Sequence, residues 1–164
     1  MKKLYIIRHS KSSWNSSAKS DFHRPLNKRG LRDAPLMGKV LKNKAVMPEL
    51  ILSSSAKRAK KTAIFLSQEL GYDKDKIVFD ADLYLSSVEE ILDIISCVDS
   101  DINTIFVIAH NPGLTNFVNV FCEQKIDNLP TTGVYEMEFD VSLWKDIKSN
   151  KAKNCYFDYP KRHL

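Results

Sequence analysis

The sequence predicts one α/β domain, a three-layer sandwich with a mostly parallel central sheet and helices on both faces. Three observations carry this. Residues 4–7, 50–52 and 104–109 are apolar and rich in β-branched side chains, as strands buried on both faces are. Between them lie segments whose apolar residues recur at helical spacing. The length, 164 residues, is that of one domain spanning 1–164, able to bury about 70% of its unfolded surface.

The elements follow in order. Leu4-Tyr5-Ile6-Ile7 runs into Arg8-His9-Ser10 and reads as a buried strand ending in polar chemistry. Residues 10–24 are small, hydroxylic and polar with no hydrophobic period, and read as a loop closed by Pro25. Asn27 caps a helix whose apolar face is Leu31, Ala34, Met37, Gly38 and Leu41. Pro35 interrupts that pattern and predicts a break, with the helix starting near Asp33.

Residues 50–53 form a second strand, leading through Ser54-Ser55-Ala56 to a helix with Ala59, Thr62, Ala63, Leu66 and Leu70 on one face and Gly71 as its stop. Residues 77–79 make a short edge strand and 82–87 a loop. Ser87 caps a helix bearing Val88, Ile91, Leu92 and Ile95. The run 104–109 is the clearest strand, and it ends in His110-Asn111-Pro112-Gly113 before a helix over 114–121. Residues 129–133 form a turn-rich loop, 134–141 a half-exposed alternating strand, and 155–159 a last strand.

Composition narrows the class. Hydrophobic residues make up 43% and charged residues 27%, the balance of an ordinary globular protein. The net charge of +5 admits nucleic acid, anionic membrane or phosphorylated partners. Its even spread argues against a nucleic-acid arm. No apolar run is long enough to span a bilayer, so no membrane partner is expected. Cys97, Cys122 and Cys155 are odd in number and far apart, which predicts no disulfide, no zinc site and a reducing cytoplasm.

The strand ends carry the chemistry. Open α/β sheets bind ligands outside the carboxyl ends of their strands. The first strand delivers Arg8 and His9 there, the second leads to Arg58, and the strand at 104–109 delivers His110. Two arginines, two histidines and two helix N-termini suit a tetrahedral dianion. Taken singly, each has a duller reading. A lone histidine at a strand end is usually structural, and Lys57-Arg58-Ala59-Lys60-Lys61 by itself is a solvated helix face. The coincidence is the signal.

These residues resemble the histidine phosphatase, or phosphoglycerate mutase-like, superfamily. The likeness is carried by Arg8-His9-Ser10, Arg58 and Ala109-His110-Asn111-Pro112. Ser10 departs from the usual glycine of the leading Arg-His-Gly motif. Arg24-Pro25-Leu26-Asn27, Arg29-Gly30, Asp33-Ala34, His110-Asn111-Pro112-Gly113 and Leu129-Pro130-Thr131-Thr132-Gly133 resemble its SixA branch of phosphohistidine phosphatases.

The resemblance implies a phosphatase without metal or other cofactor. His9 would attack phosphorus and form a phosphohistidine that water hydrolyses. Arg8, Arg58 and a protonated His110 would hold the equatorial oxygens, and Ser10, Ser12, Asn15 and the Asn111 backbone would add donors. The family's acid lies beyond the third strand, where no carboxylate stands clearly in position; Glu89 is the candidate, against a plain N-terminal dipole role. A weak acid and short loops over the site fit a phosphohistidine borne by a protein. A small phosphomonoester as substrate, or a non-catalytic phosphate-binding module, are the alternatives.

Overall fold

The computed structural model describes residues 1–15 and 17–164. Among the described residues, six strands form one sheet in the order β3-β2-β4-β1-β5-β6. They are β1 (Lys2–Arg8), β2 (Leu50–Ser54), β3 (Val78–Asp80), β4 (Thr104–Ala109), β5 (Val134–Phe139) and β6 (Asn154–Asp158). β1, β2, β3 and β4 run parallel, while β5 and β6 return antiparallel on the far side of β1. Among the described residues the helices are α1 (Lys28–Asn43), α2 (Lys57–Leu70), α3 (Val88–Ser96) and α4 (Gly113–Phe121), with short 3-10 turns between.

Strand alternation divides β1 between two cores. Tyr5 and Ile7 pack with Ile51, Phe106 and Ile108 beneath Met37 and Leu41 of α1 and Ala59, Ala63 and Leu66 of α2. Leu4 and Ile6 pack with Ile105 and Val107 beneath Ile91 and Ile95 of α3 and Leu114, Phe117 and Phe121 of α4. The central strands therefore have no polar face to spare, and their chemistry is confined to their ends. None of the helices is long and apolar enough to cross a membrane among the described residues.

Local signals act as their chemistry dictates. Asn27 caps α1 by accepting from the Gly30 amide at 3.0 Å. Ser87 and Glu90 form a reciprocal capping box on α3. Gly71 ends α2 at φ 73°, in the left-handed region.

Several expectations need correction. α1 runs unbroken from Lys28 to Asn43 with Pro35 inside it. Proline forfeits one intrahelical bond, to the Leu31 carbonyl. Leu31 is exposed, so it leaves the core face. β5 ends at Phe139 rather than residue 141, and pairing with β6 makes it an inner strand. Its partly exposed positions are acidic: Glu136 accepts from the Tyr5 hydroxyl at 3.0 Å.

Cys122 and Cys155 form a disulfide. The turn back into β6 brings their Cα atoms to 6.4 Å across a separation of 33 residues, which sequence spacing does not reveal. With two of the three cysteines paired, the thiols no longer point to a reducing compartment. Cys97 is free and exposed.

Candidate active site

Arg8 and His9 end β1, His110 follows β4, and Arg58 stands in the first turn of α2. The β1–β4 pairing sets Arg8 beside Ala109, so the two histidine-bearing ends lie side by side. All four side chains line one cavity of about 320 Å³, together with Lys11, Ser12, Trp14, Asp21, Arg24, Leu85, Asn111 and Thr131. The histidine rings are 5.0 Å apart between centroids.

Backbone contacts hold this rim. Thr132 sits at φ 58°, unfavourable for a β-branched residue. Its amide lies 3.0 Å from the Arg8 carbonyl and 3.2 Å from that of His9, which ties the 129–133 loop to the end of β1. Two glycines permit close approaches on either side. A Cβ on Gly30 would lie 2.2 Å from the Lys11 carbonyl oxygen, and one on Gly113 would lie 2.0 Å from that of Ser86. α1 can therefore touch the loop after β1, and α4 the loop before α3.

The ring partners assign the histidine tautomers. His9 Nδ1 lies 2.7 Å from the Ser10 carbonyl, which can only accept, so Nδ1 carries the proton and Nε2 the lone pair. Arg58 Nε donates to that Nε2 at 3.3 Å. His110 Nε2 is 2.7 Å from Ser54 Oγ. That oxygen also accepts from the Ala56 amide at 3.2 Å, and among the described residues its proton has no acceptor other than Nε2, so the hydroxyl donates there and the His110 ring proton is assigned to Nδ1.

Charge follows from burial. The His9 pKa is pushed down to about 3, first by desolvation and then by His110, Arg58 and Arg8, against the raising effect of the Ser10 carbonyl. His110 is also pushed to about 3, first by burial and then by Arg58, with Asp21 opposing. His9 is thus neutral, as a nucleophile must be. His110 is neutral as well in this structure.

The cavity lacks partners for its donors. Among the described residues, the buried side-chain N and O atoms with no hydrogen bond are Arg8 Nε, Arg24 Nε and Nη1, and His110 Nδ1, of which Arg24 Nε still lies in an ion pair 3.1 Å from Asp21 Oδ1. Every one belongs to a residue lining this cavity. Each such group left unmet costs about 1–3 kcal/mol. A larger cleft of about 430 Å³, lined by Arg29, Arg32, Phe157 and Tyr159, shares Thr131 but holds no histidine and none of these donors.

The remaining expected residues divide. Ser12 lines the cavity. Ser10 does not: its hydroxyl is buried 2.7 Å from Thr132 Oγ1 and locks the strand end to the loop. Asn15 is exposed and outside the cavity, with its amide on Ser13 Oγ at 3.3 Å. In the same loop, Ser16 lies outside the described residues. Asn111, expected to act through its backbone, lines the cavity, and its side chain bonds the Leu129 carbonyl at 2.9 Å and Thr115. Glu89 is exposed on α3 and does not line the cavity.

Sequence reasoning missed Asp21, Arg24 and Tyr84. Among the described residues, Asp21 is the one carboxylate lining the cavity. Its Oδ2 accepts from Arg58 Nη2 at 3.0 Å and from the Tyr84 hydroxyl at 2.5 Å. Burial alone would raise the Asp21 pKa, but the hydrogen bonds from Tyr84 and Arg58 and the charges of Arg58 and Arg24 outweigh it and hold the group below the usual carboxylate value. Arg24 lies over the Trp14 ring at 3.7 Å. No periodicity marks these positions; only the Arg24-Pro25-Leu26-Asn27 motif pointed near them.

Comparison with known proteins agrees with this geometry. Residues 4–84 match the model of the histidine phosphatase superfamily, branch 1. An uncharacterized chloroplastic protein of Arabidopsis thaliana is 32% identical over 120 residues, covering 68% of this chain and 55% of that protein, so the match spans about half of the relative's length. An uncharacterized protein of Mycobacterium tuberculosis is 25% identical over 94% of this chain and 100% of its own. The structure of the protein histidine phosphatase SixA complexed with tungstate superimposes with a TM-score of 0.84 at 20% identity, over 99% of each chain. With the strand-end motif inside the matched segment and the whole fold shared with a SixA structure, the chain belongs to the histidine phosphatase superfamily and carries its SixA-type architecture.

Proposed function

We propose that this protein hydrolyses phosphoryl groups through a phosphohistidine on His9, without a metal, and that its substrate is phosphohistidine in a protein partner. One observation carries the reading: the buried donors left without a hydrogen bond, on Arg8, Arg24 and His110, belong to residues that line one cavity with His9, a neutral histidine whose lone pair is on Nε2. Donors in that arrangement serve an anion of tetrahedral shape, and arginine forks do for phosphate oxygens what a cation would otherwise do.

The chemistry then takes two displacements. His9 Nε2 forms a bond to phosphorus as the bond to the leaving group breaks with its electron pair. Water next attacks phosphorus, the N–P bond breaks, and its pair returns to Nε2. Arg8, Arg24 and His110 Nδ1–H supply donors to oxygens as charge builds in the in-line transition state.

Two features favour a phosphoramidate over an alkyl ester. Among the described residues, the carboxylate lining the cavity, Asp21, is ionised and engaged with arginines, which makes it a poor acid for an alkoxide. An imidazole leaving group needs less protonation. The roof is thin, with Trp14 and Leu85 at the cavity exposed, so a protein surface can approach. The SixA structure that matches is that of a protein histidine phosphatase.

The test is turnover of a phosphohistidine-bearing protein beside a panel of phosphomonoesters, all in EDTA. Faster release from the phosphoprotein is the expected result. Activity that requires added magnesium, or a preference for small esters, would overturn the reading.

A further inference from the structure

Arg58 is spoken for on every side. Nη1 donates to the Asp21 carbonyl at 2.7 Å and Nη2 to Asp21 Oδ2 at 3.0 Å. With both terminal nitrogens fixed by one residue, Nε is left aimed at His9 Nε2, 3.3 Å away. That is the lone pair which attack on phosphorus requires. Asp21 is held in turn: Tyr84 donates to its Oδ2 at 2.5 Å, and Arg24 Nε lies 3.1 Å from Oδ1. Phe22 and His110 meet the Tyr84 ring edge-on, at 5.0 and 5.3 Å, so this brace is tied to the second histidine as well.

We propose that Asp21 is a positioning residue for phosphoryl transfer: a built-in anion that parks Arg58 on the His9 lone pair until a phosphoryl group displaces it. The inference rests on the phosphatase reading above. A dianion is a stronger acceptor for Arg58 than either a carboxylate or a neutral imidazole. On its arrival the Arg58 Nε–H bond stays intact and changes acceptor, from His9 Nε2 to a phosphoryl oxygen. The freed lone pair forms the N–P bond, and the pair of the breaking bond leaves with the departing group. No proton is transferred in the unmasking itself.

This arrangement predicts opposed effects from one substitution. Asp21→Asn removes a negative charge that competes with the ligand, so anions bind more tightly. It also removes the brace that aims Arg58, so chemistry slows. A residue with a merely structural role would weaken binding and turnover together. Asp21 is 44% exposed, on a loop turn, so the fold tolerates the change.

The experiment measures tungstate affinity by calorimetry, and kcat and KM on an aryl phosphate, for the wild-type protein, Asp21→Asn, Asp21→Glu and Tyr84→Phe. Asp21→Asn should bind tungstate about tenfold more tightly and lose about tenfold or more in kcat, with KM falling. Asp21→Glu should recover much of kcat, and Tyr84→Phe should shift both quantities the same way by a smaller factor. Weaker tungstate binding in Asp21→Asn, or an unchanged kcat, overturns the inference while the phosphatase reading stands. A wild-type protein that binds no tungstate overturns the phosphate site, and this inference with it.

Discussion

The two halves of the cavity are built differently. One half consists of strand ends: Arg8, His9 and His110 are fixed by β1, β4 and the Thr132 amide, and both histidines are buried. The other half is loop: Trp14, Asp21 and Arg24 come from the segment between β1 and α1, with Trp14 75% exposed. The strand-end half holds the reacting atoms in a low-dielectric setting with backbone hydrogen bonds. The loop half supplies charges that contact one another and one strand-end group, through Arg58. Precision at the reacting centre comes from the sheet, and adjustable charge comes from the loop.

That contrast can be broken by substitution. The largest effect belongs to His9→Ala, which should abolish turnover and any acid-labile phosphoenzyme while thermal unfolding stays cooperative; surviving phosphoenzyme would move the nucleophile elsewhere. Next come Arg8→Ala and Arg58→Ala, each expected to lose on the order of a hundredfold in kcat, as removal of one charge-stabilising donor does. Arg24→Ala, on the loop side, should cost less, about tenfold, because its guanidinium is partly committed to Trp14 and Asp21. Equal losses at Arg8 and Arg24 in steady-state assays would erase the distinction between the halves. Glu89→Gln should change nothing measurable on either substrate class, since its side chain is exposed and outside the cavity.

Acid sharpens the same contrast through stability. His9 and His110 titrate near 3 in the folded protein but near 6.5 when unfolded. Between those values the unfolded chain binds the more protons, so stability rises with pH across the window. It is complete above about 6.5 and is lost as pH falls toward 3. Tungstate favours the protonated rings, so it should flatten the loss. Urea unfolding at several pH values, with and without tungstate, reads this directly; a curve flat from pH 7 to 4 without ligand would show that the rings are not held neutral.

Much of the site could be read along the chain because its chemistry stands next to strong local signals. The apolar run 104–109 predicts β4, which spans those residues, and His110 is simply the next residue. The Asn27 and Ser87 caps and the Gly71 stop rest on contacts within four residues, and all three form as expected. Pro35 misled because a proline's cost to a helix is local, about one hydrogen bond, while the packing of the whole α1 face on the sheet and α2 decides whether the helix runs on. Ser10 and Asn15 misled because a polar residue beside a motif need not point at the ligand.

By itself the sequence determined the fold class, the strand-end position of Arg8, His9 and His110, and the helix ends marked by Asn27, Gly71 and Ser87. These depend on periodicity and short-range hydrogen bonding, which are written in neighbouring residues. Only the tertiary structure decided that Asp21 grips Arg58 across 37 residues, that Tyr84 reaches Asp21 across 63, and that Cys122 meets Cys155. It also decided that both histidines lose their charge, since burial is set by the whole domain closing over them. Contacts between distant segments follow from how loops settle on a finished sheet, and no local pattern in the chain encodes that settling.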